Sequence, residues 1–410
     1  MKKTLLNLGA KYPTPFLVYN EQDLINSFNL MHDSFTKVGC KHQIYYAIKS
    51  CYVHKVAESL FKLGAGVEVM THMELNLVTS MSIKPNGIIL GGIGRSLELL
   101  QEVSNKSGII IIDSINDFYK IKYISDNLKT KVNIGIRIRP DLSCLPKLIN
   151  EHFPYADKCI KLGLVPFSEE FNKIIEEIKN SDYLILKVIH AHFSINVKES
   201  YIATFVLDKI KDFCNQIQHF DFFKNIEVID IGGGFGTFST SEYQKAQKMF
   251  KEIGIHFLKL FPNFSLYLEP GRYLSNGSGY VVSKVLDIKE DRDITFIFID
   301  ASTNVLIPIP TSSYKIFYPE QVKKKLGYKI TITDGITSPN NIIISNIYLS
   351  NKPKVGDLII LGNCGAYTSV LQHFWGYEPY NVYFLDKQNN LSEIISSYDI
   401  SAAKKAILKI

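Results

Sequence analysis

Eight short apolar segments, most of them separated by stretches with helical spacing, dominate the sequence from residue 43 to residue 270. They are rich in Ile, Val, Leu and Tyr and cover residues 43–49, 66–70, 87–91, 108–114, 132–139, 184–193, 227–233 and 265–270. Strands that alternate with helices form parallel sheets, and eight such repeats suit a closed (β/α)8 TIM barrel. An open doubly wound sheet gives the same alternation, but the count of eight favours the barrel.

The helical period ends near residue 275, and strand-like segments broken by Pro, Asn and Gly follow it. They cover residues 281–289, 294–300, 328–333, 343–348, 357–361 and 380–385. The composition predicts a barrel over residues 31–275 and a C-terminal all-β domain over residues 276–410. Residues 1–30 hold one more strand and a helix, and we expect this strand to join the β domain.

Composition and charge argue against several classes of function. Apolar residues make up 46% and charged residues 21% of the 410 residues, so a large core can form. The net charge of 46 − 40 = +6 is spread along the chain, which argues against binding to a nucleic acid polymer. The apolar stretches are too short to span a membrane, and the first residues lack the pattern of a signal peptide. Six scattered cysteines without C-x-x-C pairs predict thiols of a cytoplasmic protein and no metal site.

Side chains with useful chemistry follow several of the predicted barrel strands. In this architecture the carboxyl ends of the strands form the active-site face. Lys49 ends the first strand, where partial desolvation favours the free amine that a Schiff base needs, although a lone lysine there is more often a solvated charge. His190 and His192 end the sixth strand on one face, either as core histidines or as functional groups. No carboxylate or third histidine lies near them in sequence, so a metal pair is disfavoured.

Glycines and a carboxylate follow the last two predicted barrel strands. Three glycines at residues 232–234 offer backbone amides that can hold a phosphate, although a plain tight turn has the same composition. Their spacing does not match the G-x-G-x-x-G pattern of dinucleotide sites. Glu269, followed by Gly271 and Arg272, suits a cationic ring nitrogen next to an anionic group. A lysine, a histidine, a glycine run and a glutamate together indicate pyridoxal 5′-phosphate (PLP) as the cofactor.

Five ordered motifs resemble those of the fold-type III PLP-dependent decarboxylases, which include diaminopimelate, ornithine, arginine and carboxynorspermidine decarboxylases. The motifs are YAIKSC at 46–51, HAH at 190–192, GGGFG at 232–236, EPGR at 269–272 and GAY at 365–367. The resemblance runs from residue 14 to about residue 384. It implies an alanine racemase-like barrel with a β domain, a PLP cofactor, and a homodimer with shared active sites.

The resemblance also implies a role for each matching residue. Lys49 would form the Schiff base with the cofactor, His192 would stack on its ring, and Glu269 would pair with the ring nitrogen. Glu68 stands where the family usually has an aspartate near the ring. The phosphate would be held by groups of Gly233, Gly234, Gly271, Arg272 and Tyr367.

The sequence departs from the family in the loop that normally supplies a cysteine proton donor and an aspartate. Thr337 or Ser338 takes the cysteine position, and Asn341 takes the aspartate position. A hydroxyl is a poor general acid near neutral pH, so Cys364 or bound water would have to donate the proton instead. Alternatively, Cys364 is only a small buried packing residue. Pro308 stands where diaminopimelate decarboxylases carry an arginine for the distal carboxylate.

These departures make meso-diaminopimelate and simple diamine-forming substrates poor fits. The sequence therefore predicts a PLP-dependent carboxy-lyase that acts on an amino acid, or on an amino-acid group of a larger conjugate. A specialised pathway is expected, such as the synthesis of siderophores or of peptide or nucleotide antibiotics of the microcin C type. The alternatives are a housekeeping diaminopimelate or ornithine/carboxynorspermidine decarboxylase, and a non-catalytic homologue that binds partners. The presence of Lys49 argues against the last of these.

Overall fold

The structure is a computed structural model. It describes residues 1–140, 161–192, 196–292, 294–307, 314–372, 375–377 and 380–395. These residues form two separate compact units. The barrel unit consists of residues 26–49 and 57–273, and the β unit consists of residues 1–25, 50–56 and those from 274 onward. The chain begins with α1 (Lys2–Lys11), β1 (Phe16–Asn20) and α2 (Glu21–Thr36).

Eight parallel strands close into a barrel, which settles the choice between a barrel and an open sheet. They are β2 (His42–Ala47), β3 (Gly66–Val69), β4 (Ile88–Leu90), β5 (Ile109–Ile112), β6 (Val132–Arg137), β7 (Leu184–His190), β8 (Val228–Asp230) and β9 (Ser265–Leu268). Every one of them overlaps a segment that the sequence predicts to be a strand. The predicted fold class, a (β/α)8 barrel with a C-terminal all-β domain, is confirmed.

Helices follow the barrel strands, and the sequence explains where several of them begin. They are α3 (His54–Lys62), α4 (His72–Ser80), α5 (Leu97–Asn105), α6 (Ile115–Leu128), α7 (Glu169–Lys179), α8 (Ser200–Ile217), α9 (Tyr243–Leu260) and α10 (Arg272–Ser275). In four of them a hydroxyl before the first turn accepts a backbone N–H of that turn, which stabilises the start of the helix. These capping residues are Thr71, Ser96, Ser114 and Ser168.

Apolar side chains fill the interior of the barrel. One cluster of buried residues inside it consists of Tyr45, Ile89, Ile111, Val188 and Val228. The barrel is therefore a packed core that carries its chemistry at the strand ends, as is general for this architecture. Among the described residues, no helix is long and apolar enough to cross a membrane.

The β unit contains a nine-stranded mixed sheet. Besides β1, its strands are β10 (Gly279–Asp291), β11 (Ile294–Ile299), β12 (Lys315–Tyr318), β13 (Tyr328–Thr333), β14 (Ile342–Leu349), β15 (Leu358–Gly362), β16 (Asn381–Leu385) and β17 (Leu391–Ile395). β1 lies between β10, which runs antiparallel to it, and β16, which runs parallel. This strand from the start of the chain thus holds together strands from its last third.

Candidate active site

The chemically useful residues of the barrel unit lie at the carboxyl ends of its strands. Lys49 lies in a 3₁₀ turn directly after β2, and Glu68 lies in β3, next to β2. His192 follows β7 by two residues, and Glu269 directly follows β9. The structure therefore places these four predicted residues at one end of the barrel. The same end carries Gly233, Gly234, Gly271 and Arg272.

Lys49 and Glu68 form an ion pair. The Nζ atom of Lys49 donates to Oε2 of Glu68 over 2.7 Å, and the side chains are 34% and 4% exposed, respectively. Burial raises the pKa of Glu68, while the charge of Lys49 opposes that rise. The carboxylate thus holds an amine that solvent and small molecules can still reach. Such an amine can give up a proton to its partner and then act as a nucleophile.

His192 presents a neutral imidazole. Burial, together with the positive charge of Arg137, lowers its pKa to about 3, so the ring is uncharged at neutral pH. Its Nδ1 atom accepts a hydrogen bond of 3.2 Å from the backbone N–H of Gly233. The hydrogen of the neutral ring therefore lies on Nε2. A neutral flat ring held in this way is suited to stacking on another aromatic group.

The glycine run allows the ends of three strands to approach each other closely. Gly232 has a φ of +66°, and a Cβ on it would lie 2.5 Å from Nδ1 of His192. A Cβ on Gly233 would lie 2.2 Å from the backbone oxygen of Glu269. Both glycines are thus required for packing, as the tight-turn interpretation predicts. That requirement is compatible with the predicted phosphate-binding role of Gly233 and Gly234.

Gly233→Ala should destabilise the protein and disturb the strand end that carries Glu269. The added methyl group would collide with a backbone atom, which cannot rotate away, and overpacking of this kind costs about 1–3 kcal/mol. Gly362→Ala is a matched control, because a Cβ there would have its nearest neighbours at an ordinary 3.7 Å. Thermal unfolding of both variants checks this expectation. Equal melting temperatures for the two variants would contradict it.

A buried group of titratable side chains surrounds Glu269. Its Oε2 atom lies 3.7 Å from Nε2 of His190, and one side-chain atom each of His190, Asp230 and Glu269 lies within 4.8 Å of the others. Burial alone would raise the pKa of Glu269, but His190 and Lys49 outweigh it and lower the pKa to about 2. Glu269 is therefore an ionised carboxylate in a buried position.

The sequence pattern did not identify Asp230 as a site residue, because Asp230 is far from His190 along the chain. It ends β8, and its register partner in β7 is His190. The rule that the carboxyl ends of neighbouring barrel strands meet would have found it. Proximity in sequence was therefore the wrong criterion for this group.

Three other predicted site residues belong to the β unit. Thr337 lies in an exposed loop. Cys364 is fully buried, and burial raises the pKa of its thiol far above the usual range. The backbone N–H of Tyr367 donates to the carbonyl of Ser50 over 2.8 Å. The burial of Cys364 favours the alternative in which it is a packing residue.

Asn341, which takes the place of an expected aspartate, is part of a buried hydrogen-bond network. Its Nδ2 atom donates to Oγ1 of Thr303 over 2.7 Å. Oδ2 of Asp334 accepts both the backbone N–H and the hydroxyl of Thr303, over 2.8 and 2.9 Å. The amide therefore fastens this loop to its own unit. Pro308, the other departure of the sequence, lies outside the described residues.

Comparison with known proteins gives consistent results. A family model described as pyridoxal-dependent decarboxylase, pyridoxal binding domain, matches residues 21–276. Diaminopimelate decarboxylase from Methanocaldococcus jannaschii is 25% identical over 377 residues, with 88% of this chain and 84% of that protein covered. The crystal structure of diaminopimelate decarboxylase from M. jannaschii superposes with a TM-score of 0.84 at 20% identity, covering 98% of this chain and 94% of that one. Arginine decarboxylase from Paramecium bursaria Chlorella virus gives a TM-score of 0.74 at 18% identity, over 94% of this chain and 100% of that one.

Proposed function

This chain belongs to the pyridoxal-dependent decarboxylase family, and we propose that its substrate is an amino-acid group carried on a larger conjugate. The protein shares the general activity of this family: it is a PLP-dependent amino-acid decarboxylase, a carboxy-lyase. A specialised pathway, such as the synthesis of a siderophore or of a peptide or nucleotide antibiotic of the microcin C type, would use such a reaction.

The residues of the barrel unit fit PLP as their cofactor. Lys49 offers an accessible amine, Glu269 an ionised carboxylate, and His192 a neutral flat ring. Gly232 and Gly233, which follow β8, lie so close to His192 and Glu269 that a Cβ would not fit on either of them. When bound, the cofactor supplies an electron sink for the negative charge that remains as carbon dioxide departs.

Each of these side chains then has a definite task. Lys49 would bind the cofactor covalently through Nζ, after passing a proton to Glu68. Glu269 would hold a proton on the ring nitrogen through its negative charge. His192 would pack against one ring face and exclude water from it. We propose that the phosphate is held by Gly233, Gly234, Gly271, Arg272 and Tyr367.

The proton that replaces the lost carboxyl group has three candidate donors. Thr337 is exposed, and its hydroxyl is a weak acid near neutral pH. Cys364 keeps its proton because burial raises its pKa, but the same burial removes it from solvent. Bound water is the third candidate, and it requires no particular side chain.

The observation that carries the proposed substrate class is that the neutral amide of Asn341 stands where a carboxylate is expected. A carboxylate at this position would attract a distal ammonium group, whereas a neutral amide does not. The amide is also buried, and its Nδ2 donates to Thr303. The distal ammonium group of a substrate such as diamine-forming enzymes use would therefore lack a carboxylate partner at this position.

We expect negligible release of carbon dioxide from meso-diaminopimelate by the wild-type protein with PLP. Thr337→Cys should not change this result, because a thiol restores a proton donor but no contact with the distal end of the substrate. A missing charge contact at a buried site costs about 2–5 kcal/mol, or roughly two to four orders of magnitude in specificity. Ser338→Cys tests the neighbouring position that could equally take the place of the cysteine. Mass spectrometry after incubation with the protein and PLP measures the loss of carbon dioxide. The substrates compared are meso-diaminopimelate and carrier- or nucleotide-linked amino acids.

The second candidate is a housekeeping diaminopimelate decarboxylase. Relatives with this name align over most of the chain, which favours it. Robust lysine formation from meso-diaminopimelate, with ordinary saturation kinetics, would establish this candidate and refute the conjugate. A non-catalytic homologue would be the better description only if the wild-type protein failed to bind PLP at Lys49.

We further propose a cytoplasmic homodimer with shared active sites. Among the described residues, Cys40, Cys51, Cys214 and Cys364 are buried free thiols, as expected in a reducing compartment. Sedimentation of the holoenzyme measures the assembly directly. A monomer at all protein concentrations would refute the dimer.

A further inference from the structure

Asp230 is a buried carboxyl group to which no task has yet been assigned. Its Oδ1 atom accepts the backbone N–H of Gly232 over 2.7 Å. Among the described residues, its Oδ2 atom has no hydrogen-bond partner and is shielded from solvent. A carboxylate in this environment would be poorly stabilised, because a buried charge needs several donors.

Glu269 makes ionisation of Asp230 still less favourable. An oxygen atom of each carboxyl group lies within 4.8 Å of one of the other, and both groups are buried. Two carboxyl groups at this separation do not both ionise readily, because their negative charges repel each other. The pair therefore keeps one proton. Burial, followed by the charge of Glu269, raises the pKa of Asp230 well above its usual value. The proton therefore resides on Asp230, while Glu269 carries the charge.

The surrounding groups favour the same distribution of charge. Lys49 and His190 stabilise the negative charge on Glu269, whereas Glu68 disfavours a charge on Asp230.

We propose that Asp230 is a positioning residue for Glu269: as a neutral acid it donates a hydrogen bond from Oδ2 to the carboxylate of Glu269. Its Oδ1 atom meanwhile accepts the N–H of Gly232, so both oxygens have a partner. The bond fixes the orientation of Glu269 in the buried end of the barrel. This inference rests on the proposed role of Glu269 towards the ring nitrogen of PLP.

Asp230→Asn is the conservative variant that separates a neutral acid from a carboxylate. Its amide has the same shape, accepts from Gly232 through Oδ1 and donates to Glu269 through Nδ2. Asp230→Val keeps a similar size but can make neither bond. We expect Asp230→Asn to bind PLP as tightly as wild type, and Asp230→Val to bind it at least about tenfold more weakly, since hydrogen bonds to charged groups have energies of this size.

A double-mutant cycle shows whether Asp230 acts through Glu269. In a Glu269→Ala background the Asp230→Val substitution should cause no further loss of PLP affinity, because the acceptor is already gone. Equal losses in both backgrounds, or an Asp230→Asn variant as weak as Asp230→Val, would overturn the proposal. Failure of the wild-type protein itself to bind PLP would instead refute the proposed function.

Infrared spectroscopy of the wild-type holoenzyme tests the proton on Asp230 even if Asp230→Val does not fold. We expect the spectrum at neutral pH to lose one carbonyl band of a protonated carboxylic acid in Asp230→Asn, whereas a band from protonated Glu68 would be the same in both proteins. Spectra that do not differ in this region would show that Asp230 is ionised and would overturn the proposal.

Discussion

Replacing Lys49 by alanine should abolish covalent binding of PLP and lower the rate of decarboxylation by about three orders of magnitude or more. The Nζ atom of Lys49 is the amine that the cofactor would bond, and the neighbouring site residues Glu68, His192 and Glu269 offer no amine. The side chain is 34% exposed and lies in a short turn after β2, so it contributes little to the core. Glu68, left without its cation, can take up a proton because burial already raises its pKa. The fold should therefore persist.

Lys49→Arg is the matched control for this prediction. It keeps a cation opposite Glu68 but offers no amine for a Schiff base. Borohydride reduction followed by peptide mass spectrometry should find PLP attached to residue 49 in the wild type and in neither variant. Thermal unfolding should give similar midpoints for all three proteins. Ordinary activity in Lys49→Ala would refute the assignment of the whole site.

Glu269→Gln should retain PLP and lose most of its rate, by roughly 10²–10³-fold. The carboxylate has a pKa of about 2, so it is charged at any pH at which the enzyme works. A neutral amide cannot hold a proton on the ring nitrogen, and the cofactor then stabilises negative charge less well. The absorbance of bound PLP and the turnover rate, measured on the same preparation, separate retention of the cofactor from loss of function.

Glu269→Asp provides the comparison that isolates charge from size. The shorter carboxylate keeps the negative charge, so it should recover more of the rate than the isosteric glutamine. Wild-type turnover in Glu269→Gln would exclude Glu269 from this role. A Glu269→Asp variant slower than Glu269→Gln would show that position matters more than charge.

The barrel was predictable because each of its strands is a separate apolar segment between helical ones. β12, β17 and α1 were missed. β12 has only four residues, and β17 contains Ser392 and Glu393 among its five, so neither shows a distinct apolar period. α1 has no acidic residue in its first turn, and it contains Gly9, which packs against Leu358 and Val282. Only the tertiary contacts of these elements explain why they form.

The motifs predict which side chains form the candidate site, but they do not predict the contacts between those side chains. The sequence identifies Lys49, His192 and Glu269, each at the end of a strand. It does not show that Glu68 reaches Lys49 over 2.7 Å, or that Asp230 lies beside Glu269. Distances of this kind depend on barrel register and side-chain rotamers, which no local pattern encodes. The same limit applies to Asn341. The sequence shows that it replaces an aspartate, but not that its side chain is buried and donates a hydrogen bond to Thr303.

The position of β1 between β10 and β16 has a consequence for synthesis on the ribosome. The barrel segments are translated in one continuous block, whereas β1 emerges first and its partner β16 emerges roughly 360 residues later. At about 5–20 residues per second, β1 would wait roughly 20–70 s for that partner. During this interval an apolar strand with an unpaired edge is exposed to other nascent chains. We therefore expect β1, more than the barrel, to make expression depend on chaperones. We also expect it to cause aggregation of chains truncated before residue 381.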